Sequence, residues 1–265
     1  MTGSEARPRP ALVARLRAAG CVFAEEEAAL LIQASAGSAA RLELLVARRV
    51  AGEPLEPLLG WVEFAGLRLH VEPGVFVPRR RTERLAERAA AETVARAPAT
   101  ALDLCCGIGA IGAVIADRDP DARLIAADID PAAVRCARVN LPHATVVEGD
   151  LFAPVPPHLR RRFDVIAVNA PYVPTGAIPS LPPEARDHEP VAALDGGDDG
   201  LDLHRRIAAE AEAWLAPDGL LLIEASADQA PASAALFAAA GFAAAIERDD
   251  ERGSTLVTVR AAAPS

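Results

Sequence analysis

The chain has no lysine: all 27 of its basic residues are arginine. Aromatic residues make up only 4% of it and hydrophobic residues 51%, so Ala, Leu and Val must fill the interior. The four cysteines (Cys21, Cys105, Cys106, Cys136) are too scattered for a disulfide framework. Their spacing fits no zinc pattern and no histidine stands at ligand spacing from them, so no metal is expected. No apolar run reaches the roughly 18 residues of a membrane span, and Arg15 and Arg17 interrupt the nearest candidate for a leader. A soluble, cytoplasmic protein without a membrane partner is the expectation. A net charge of −10 speaks against direct nucleic-acid binding, which needs clustered cations. Basic runs exist at Arg79-Arg80-Arg81 and Arg160-Arg161-Arg162, the second reading as a solvated loop.

What is present is a change of pattern along 265 residues, long enough for one domain of about 190 residues and an appendage. Residues 1–10 read as a frayed tail. Apolar residues at helical spacing predict short helices over Ala11–Ala19, Glu25–Ala36 and Ser38–Ala51, with Gly20, Gly37 and Gly52 as stops. The segment Trp61–Val71 alternates around Gly66 and predicts a β-hairpin joining two domains. Thr82 then stands where it can cap a helix through Glu83, Leu85 and Ala89. The predicted divisions are a helical domain over 1–53, a hairpin linker over 54–78 and a catalytic domain over 79–265.

From residue 99 strand and helix patterns alternate. Strands are predicted at Ala101–Leu104, Leu124–Ala127, Thr145–Val147, Val165–Val168 and Leu220–Glu224. Helices follow at Ala110–Ala116, Leu201–Leu215 and Pro231–Ala240, with closing strands at Ala243–Glu247 and Thr255–Val259. Such alternation predicts an α/β fold with a mostly parallel, doubly wound sheet.

Open sheets of this kind bind ligands at the carboxyl ends of their strands. The first strand ends in Cys105-Cys106-Gly107-Ile108-Gly109, where two glycines let backbone approach a ligand. The glycine spacing only partly matches a dinucleotide fingerprint and also fits an ordinary tight turn. Asp128 ends the second strand and can accept both hydroxyls of a ribose; Asp150 and Phe152 end the third and can receive an adenine. A nicotinamide dinucleotide and S-adenosylmethionine both fit. The fourth strand ends in Asn169-Ala170-Pro171-Tyr172, which offers a side-chain carbonyl, a backbone carbonyl and a flat ring. Two acceptors beside a ring suit an NH2 group on a planar substrate, and that favours methyl transfer.

These residues, with others, resemble the HemK-type (PrmC) protein-glutamine methyltransferases. The resemblance runs from about residue 48 to 230. It includes Arg49 with Gly52-Glu53-Pro54, Val77-Pro78-Arg79 with Thr82-Glu83, and Asp103-Leu104 with Gly107 and Gly109. It continues through Asp128 with Pro131, Gly149-Asp150-Leu151-Phe152 and Asn169/Pro171-Tyr172, then Glu189-Pro190, Gly196-Gly197, Asp199-Gly200-Leu201, and Glu224 with Gln229. It implies a seven-stranded Rossmann-like sheet binding S-adenosylmethionine, and methylation of the glutamine side chain in the GGQ loop of peptide-chain release factors. By resemblance, Asn169, Ala170, Pro171 and Tyr172 are catalytic. Asp103, Cys105, Cys106, Gly107, Ile108, Gly109, Asp128, Asp150, Phe152 and Asn169 bind the cofactor; Arg79, Glu189 and Pro190 bind the substrate; and the N-terminal helices help recognise it.

Four departures mark a divergent paralogue. Ala170 stands where the family has a second Pro, Cys105 and Cys106 replace Gly and a small hydroxyl residue, Arg80-Arg81 replaces Pro-Glu, and Glu247–Gly253 lacks the usual ending. The backbone carbonyl at 170 survives the first of these. The segment Val173–Asp199 is too long for an idle connection and is expected to form a substrate-facing wall, its acidic cluster (Asp195, Asp198, Asp199) reading as a solvated turn. Two other readings stand beside glutamine methylation: an amino methyltransferase acting on adenine or a small molecule, and a non-catalytic cofactor-binding module.

Overall fold

The computed structural model describes residues 10–261, so the predicted tail at 1–10 lies almost wholly outside the described residues. Four helices come first: α1 (Pro10–Ala18), α2 (Ala24–Ala34), α3 (Ala39–Val50) and α4 (Leu55–Leu59). Leu16, Leu31, Leu45, Val46 and Leu58 are buried together as a core of their own. The short α4 carries this bundle past the predicted boundary at residue 53, because Leu58 belongs to its interior.

The hairpin forms as predicted from β1 (Trp61–Phe64) and β2 (Leu67–His70), turning at Ala65 (φ 50°) and Gly66 (φ 81°). Its apolar face is not linker surface. Val62, Phe64 and Leu69 pack into the core under the main sheet.

The rest of the chain builds that sheet, in the sequence α5 (Glu83–Ala95), β3 (Thr100–Leu104), α6 (Ala110–Arg118), β4 (Arg123–Asp128), α7 (Pro131–Asn140), β5 (Thr145–Glu148) and β6 (Phe163–Val168). There follow α8 (Pro183–His188), α9 (Asp202–Glu210), β7 (Leu215–Glu224), α10 (Ala230–Ala239), β8 (Phe242–Asp249) and β9 (Ser254–Ala261). Seven strands lie in the order β5-β4-β3-β6-β7-β9-β8, all parallel except β9.

Successive strand residues face opposite sides. Ala101, Val165, Ala167, Leu220 and Leu222 point to the layer of α5, α6 and α7. Leu102, Leu104, Ile166, Val168, Leu221 and Ile223 point to the layer of α9 and α10. Both faces are therefore covered, which is why these strands read as continuous apolar runs.

Three predictions fail for tertiary reasons. The helix forecast over Leu201–Leu215 stops at Glu210, because Trp214 stacks on Phe152 (5.5 Å, 9°) and Leu215 pairs with Phe163. That pairing starts β7 at Leu215, ahead of the predicted Leu220. Thr82 does not cap α5: it ends a 3-10 turn over Arg80–Thr82, is already helical (φ −70°), and turns its side chain inward. No helix among the described residues is long and apolar enough to cross a membrane.

Candidate active site

The strand order reverses between β3 and β6, and the loops leaving the carboxyl ends of β3, β4, β5 and β6 meet there around a cavity of about 810 Å³. Cys105, Gly107, Asp128, Asp150, Asn169, Ala170, Pro171 and Tyr172 all line it.

The turn after β3 is held by backbone. Cys106 N–H donates to the Ala127 carbonyl (3.0 Å), and Gly107 N–H donates to Asp128 Oδ2 (2.7 Å). Asp130 N–H donates to the other oxygen, Oδ1 (2.9 Å). Each carboxylate oxygen keeps a further lone pair for a hydroxyl donor. Burial pushes the Asp128 carboxyl up from its ordinary range, against the pull of these N–H donors. At Gly107 (φ +54°) a side chain would meet nothing within 4 Å, so the space above the glycine is open to a ligand. Gly109 serves packing instead: with φ +79° it starts α6, and a Cβ there would lie 2.7 Å from Leu141 Cδ1.

Several residues assigned to the cofactor are one layer back. Asp103 is fully buried behind the turn, where Oδ2 accepts from Gly112 N–H (2.8 Å) and Oδ1 has no partner. Burial, reinforced by Asp128, pushes its pKa up to about 8. Cys106 and Ile108 are 6% and 1% exposed and support the turn from inside. Phe152 is a correction: it is 1% exposed and stacked on Trp214, and its neighbour Leu151 lines the cavity in its place. Cys105 reaches the cavity at φ +57°, a strained setting for a side chain. Burial and the carboxylates of Asp128, Asp103 and Asp150 push its thiol well up, which favours the protonated form. Asp150, at the rim, pairs with Arg206 (2.6 Å).

The turn after β6 is held by side chains from afar. Asn169 Nδ2 donates to Thr82 Oγ1 (3.4 Å), leaving Asn169 Oδ1 with no donor among the described residues. The Ala170 carbonyl also accepts from none of them, in a residue 1% exposed. The Tyr172 hydroxyl accepts from Arg81 Nη2 (2.6 Å) and donates to Glu224 Oε1 (3.3 Å), and Arg81 Nε donates to the same oxygen (3.2 Å). Burial and the Glu224 charge push the Tyr172 hydroxyl up, so it stays protonated; burial also raises Glu224, which is 1% exposed. Gln229 Nε2 donates to the carbonyls of Tyr172 and Asp199 (both 2.9 Å). A Cβ on Gly196 would lie 2.8 Å from Tyr172 Cα, which explains a glycine there. Arg81, Thr82, Glu224 and Gln229 stand in the sequence only as motif residues or a cap candidate, since only the fold brings them to Tyr172 and Asn169.

The long connection forms a cavity wall from α8 and short 3-10 turns, contributing Val173, Leu181, Ala185 and Leu194. Its acidic cluster is organised: Asp195 accepts from Thr175 Oγ1 (2.7 Å) and Gly197 N–H (3.0 Å), and Asp199 pairs with Arg205. Arg79 and Pro190 line the cavity, whereas Glu189 does not. Glu189 is 6% exposed and anchors Arg79 (2.5 Å) and Val77 N–H (3.2 Å), a supporting position rather than a contact. Arg49, 9% exposed, ties the bundle to α8 by pairing with Glu27 (2.7 Å) and Glu184 (2.6 Å).

An open cradle at Gly107, a carboxylate with free lone pairs at Asp128 and a cavity large enough for both reactants fit S-adenosylmethionine. The methyltransferase small domain family matches residues 66–179. The solved methyltransferase from Pyrococcus furiosus shares the fold, with a TM-score of 0.53 at 16% identity over 74% of this chain and 90% of that one. The chain thus has the class I methyltransferase fold and carries a methyltransferase small domain. A release factor glutamine methyltransferase of Geobacter sulfurreducens is 40% identical over 215 residues, which are 79% of this chain and 73% of that one. A 4-amino-L-phenylalanine/4-methylamino-L-phenylalanine methyltransferase of Streptomyces pristinaespiralis is 37% identical over 74% of this chain and 69% of its own. The chain belongs to the release factor glutamine methyltransferase family.

Proposed function

We propose that this protein transfers a methyl group to the side-chain amide nitrogen of a glutamine in a peptide-chain release factor, in the GGQ loop, and does so in the cytoplasm. The observation that carries the reading is the pair of adjacent acceptors, Asn169 Oδ1 and the Ala170 carbonyl, that no protein donor takes. A primary amide has two N–H donors on one nitrogen, and two neighbouring acceptors match them.

S-Adenosylmethionine supplies an electrophilic methyl on a sulfonium; Gly107 and Asp128 are placed to hold it, with Asp150 at the rim. An amide nitrogen is a poor nucleophile because its lone pair is delocalised. Gripping both N–H bonds orients that lone pair, and orientation of reactants can remove about 7–11 kcal/mol of a barrier. Tyr172 packs the amide plane, and its hydroxyl is fixed by Arg81 and Glu224. Ala170 in place of a proline leaves the acceptor unchanged, because the acceptor is backbone. Asn169 and the Ala170 carbonyl need not act as bases: the N–H would become acidic only once the nitrogen carries the methyl, that proton would leave to solvent, and the demethylated cofactor would depart as a neutral thioether. Arg79, held by Glu189, and Pro190 stand where the substrate loop enters. The net charge of −10 supports a protein substrate over a nucleic acid.

The test is mass spectrometry of release factors incubated with the enzyme and isotope-labelled cofactor. One labelled methyl on the GGQ glutamine is expected; an unlabelled release factor overturns the assignment. The Streptomyces relative makes an aromatic amine the second substrate to offer in the same assay.

A further inference from the structure

Away from the cavity, the fold gathers three ligand-type side chains that lie far apart in sequence. His70 ends β2, Glu72 follows it, and Cys136 lies on α7. One donor atom from each lies within 4.8 Å of the other two. His70 Nε2 and Glu72 Oε1 are 3.5 Å apart. In a tetrahedral zinc site, with bonds of about 2.0–2.3 Å, donors stand roughly 3.4–3.8 Å apart. The His–Glu pair already has that spacing, and a shift of about 1 Å by two half-exposed side chains brings the sulfur to it.

The surroundings hold two of the ligands in place. Asn140 lies one turn beyond Cys136 on the same face of α7. Its Oδ1 accepts from His70 N–H (2.7 Å), and its Nδ2 donates to the carbonyls of His70 and Ile108 (both 2.9 Å). Cys136 is fully buried. The competing cation is Arg135, whose Nη2 is 3.5 Å from Glu72 Oε2; its side chain is 58% exposed and free to swing out, and Oε1 stays with the site.

We propose that His70, Glu72 and Cys136 form a binding site for a thiophilic divalent cation, zinc in the first instance, with water as a fourth ligand. A thiolate and a carboxylate neutralise the two positive charges, imidazole completes the set, and the thiol proton leaves to solvent. The ion clips the hairpin to α7, which supports the cofactor turn through the Asn140–Ile108 bond and the Leu141–Gly109 contact.

Cobalt(II) titration of the purified, metal-free protein tests this, because a cysteine ligand gives a thiolate-to-cobalt charge-transfer band. One equivalent giving that band, displaced by zinc, is expected. The band should vanish in Cys136→Ser, and His70→Ala and Glu72→Ala should each weaken cobalt binding at least tenfold. Zinc should also raise the melting temperature of the wild type but not of His70→Ala. Absence of the band overturns the site. So does its persistence in Cys136→Ser, which would move the ligand to Cys21, Cys105 or Cys106. Should Cys136→Ser fail to fold, unchanged cobalt binding in both His70→Ala and Glu72→Ala overturns it equally.

Discussion

The two turns that face each other across the cavity are built by different means. The turn after β3 is secured by backbone N–H groups, by Asp128 21 residues on, and by glycines in left-handed conformations. The turn after β6 is secured by Arg81, Glu224 and Gln229, which come from 91, 52 and 57 residues away relative to Tyr172. The first keeps its shape through local chemistry; the second depends on the whole sheet being assembled. The β3 turn can therefore be altered one residue at a time, whereas the β6 turn is adjusted through residues distant in sequence, Arg81 among them.

If this contrast is right, changes on the β6 side should damage transfer and leave the cofactor bound, while changes on the β3 side should act on stability or cofactor affinity. The largest effect belongs to Asn169→Ala, which removes one of the two acceptors. Transfer should fall at least about 10²-fold, as expected for a misoriented nucleophile, with cofactor affinity by calorimetry unchanged. Arg81→Ala comes next. It leaves Glu224, 1% exposed, without its cation. Removing one partner of a fully buried pair costs about 3–5 kcal/mol; with Arg81 itself 43% exposed, a loss of about 2–3 kcal/mol is expected in denaturant melts. Transfer should drop with it. Arg81→Lys should recover stability more than rate, because an ammonium cannot reach both Tyr172 and Glu224 as a guanidinium does.

On the β3 side the effect depends on pH. Burial lifts the Asp103 pKa to about 8 from an ordinary 3.8, so the folded state favours the protonated form. The group helps folding fully below about pH 4 and loses that contribution as pH rises towards 8. Asp103→Asn should flatten the fall in melting temperature over that window; an unchanged slope would remove Asp103 as its cause. The smallest change expected is Cys105→Gly. Relieving a left-handed non-glycine residue returns about 1 kcal/mol, partly offset by glycine's greater freedom when unfolded. A melting point equal to or slightly above wild type is predicted, with cofactor binding retained. A clear fall would show that the Cys105 side chain contributes more packing than its φ of +57° costs.

The same contrast explains what could be read from the sequence. Strand-end turns are local, so Gly107, Asp128 and Asn169 were visible from a few residues of context, and so was the alternation that builds the sheet. Phe152 follows Asp150 and so reads as an adenine contact, yet its ring stacks on Trp214, a partner 62 residues away that no local pattern announces. Thr82 had the residue type of a helix cap, and only the arrival of β6 beside it turns its hydroxyl to Asn169. By resemblance Glu189 joins Arg79 as a substrate contact, but burial beneath Arg79, not contact with the cavity, is what the fold adds. The helical bundle's extension through Leu58 is hidden because a five-residue helix flanked by Pro54 and Gly60, with Pro57 inside it, carries almost no periodicity.

Two hydrogens of one carboxamide, each held by its own acceptor, are the centre of this account. The direct measurement is nitrogen-edited NMR of a release-factor peptide whose glutamine side chain carries 15N, bound to the protein with the demethylated cofactor so that no turnover occurs. Both side-chain amide protons should shift downfield and exchange slowly, and one should revert in Asn169→Ala. Two protons exchanging at the free-peptide rate, or a spectrum that Asn169→Ala leaves unaltered, would contradict it.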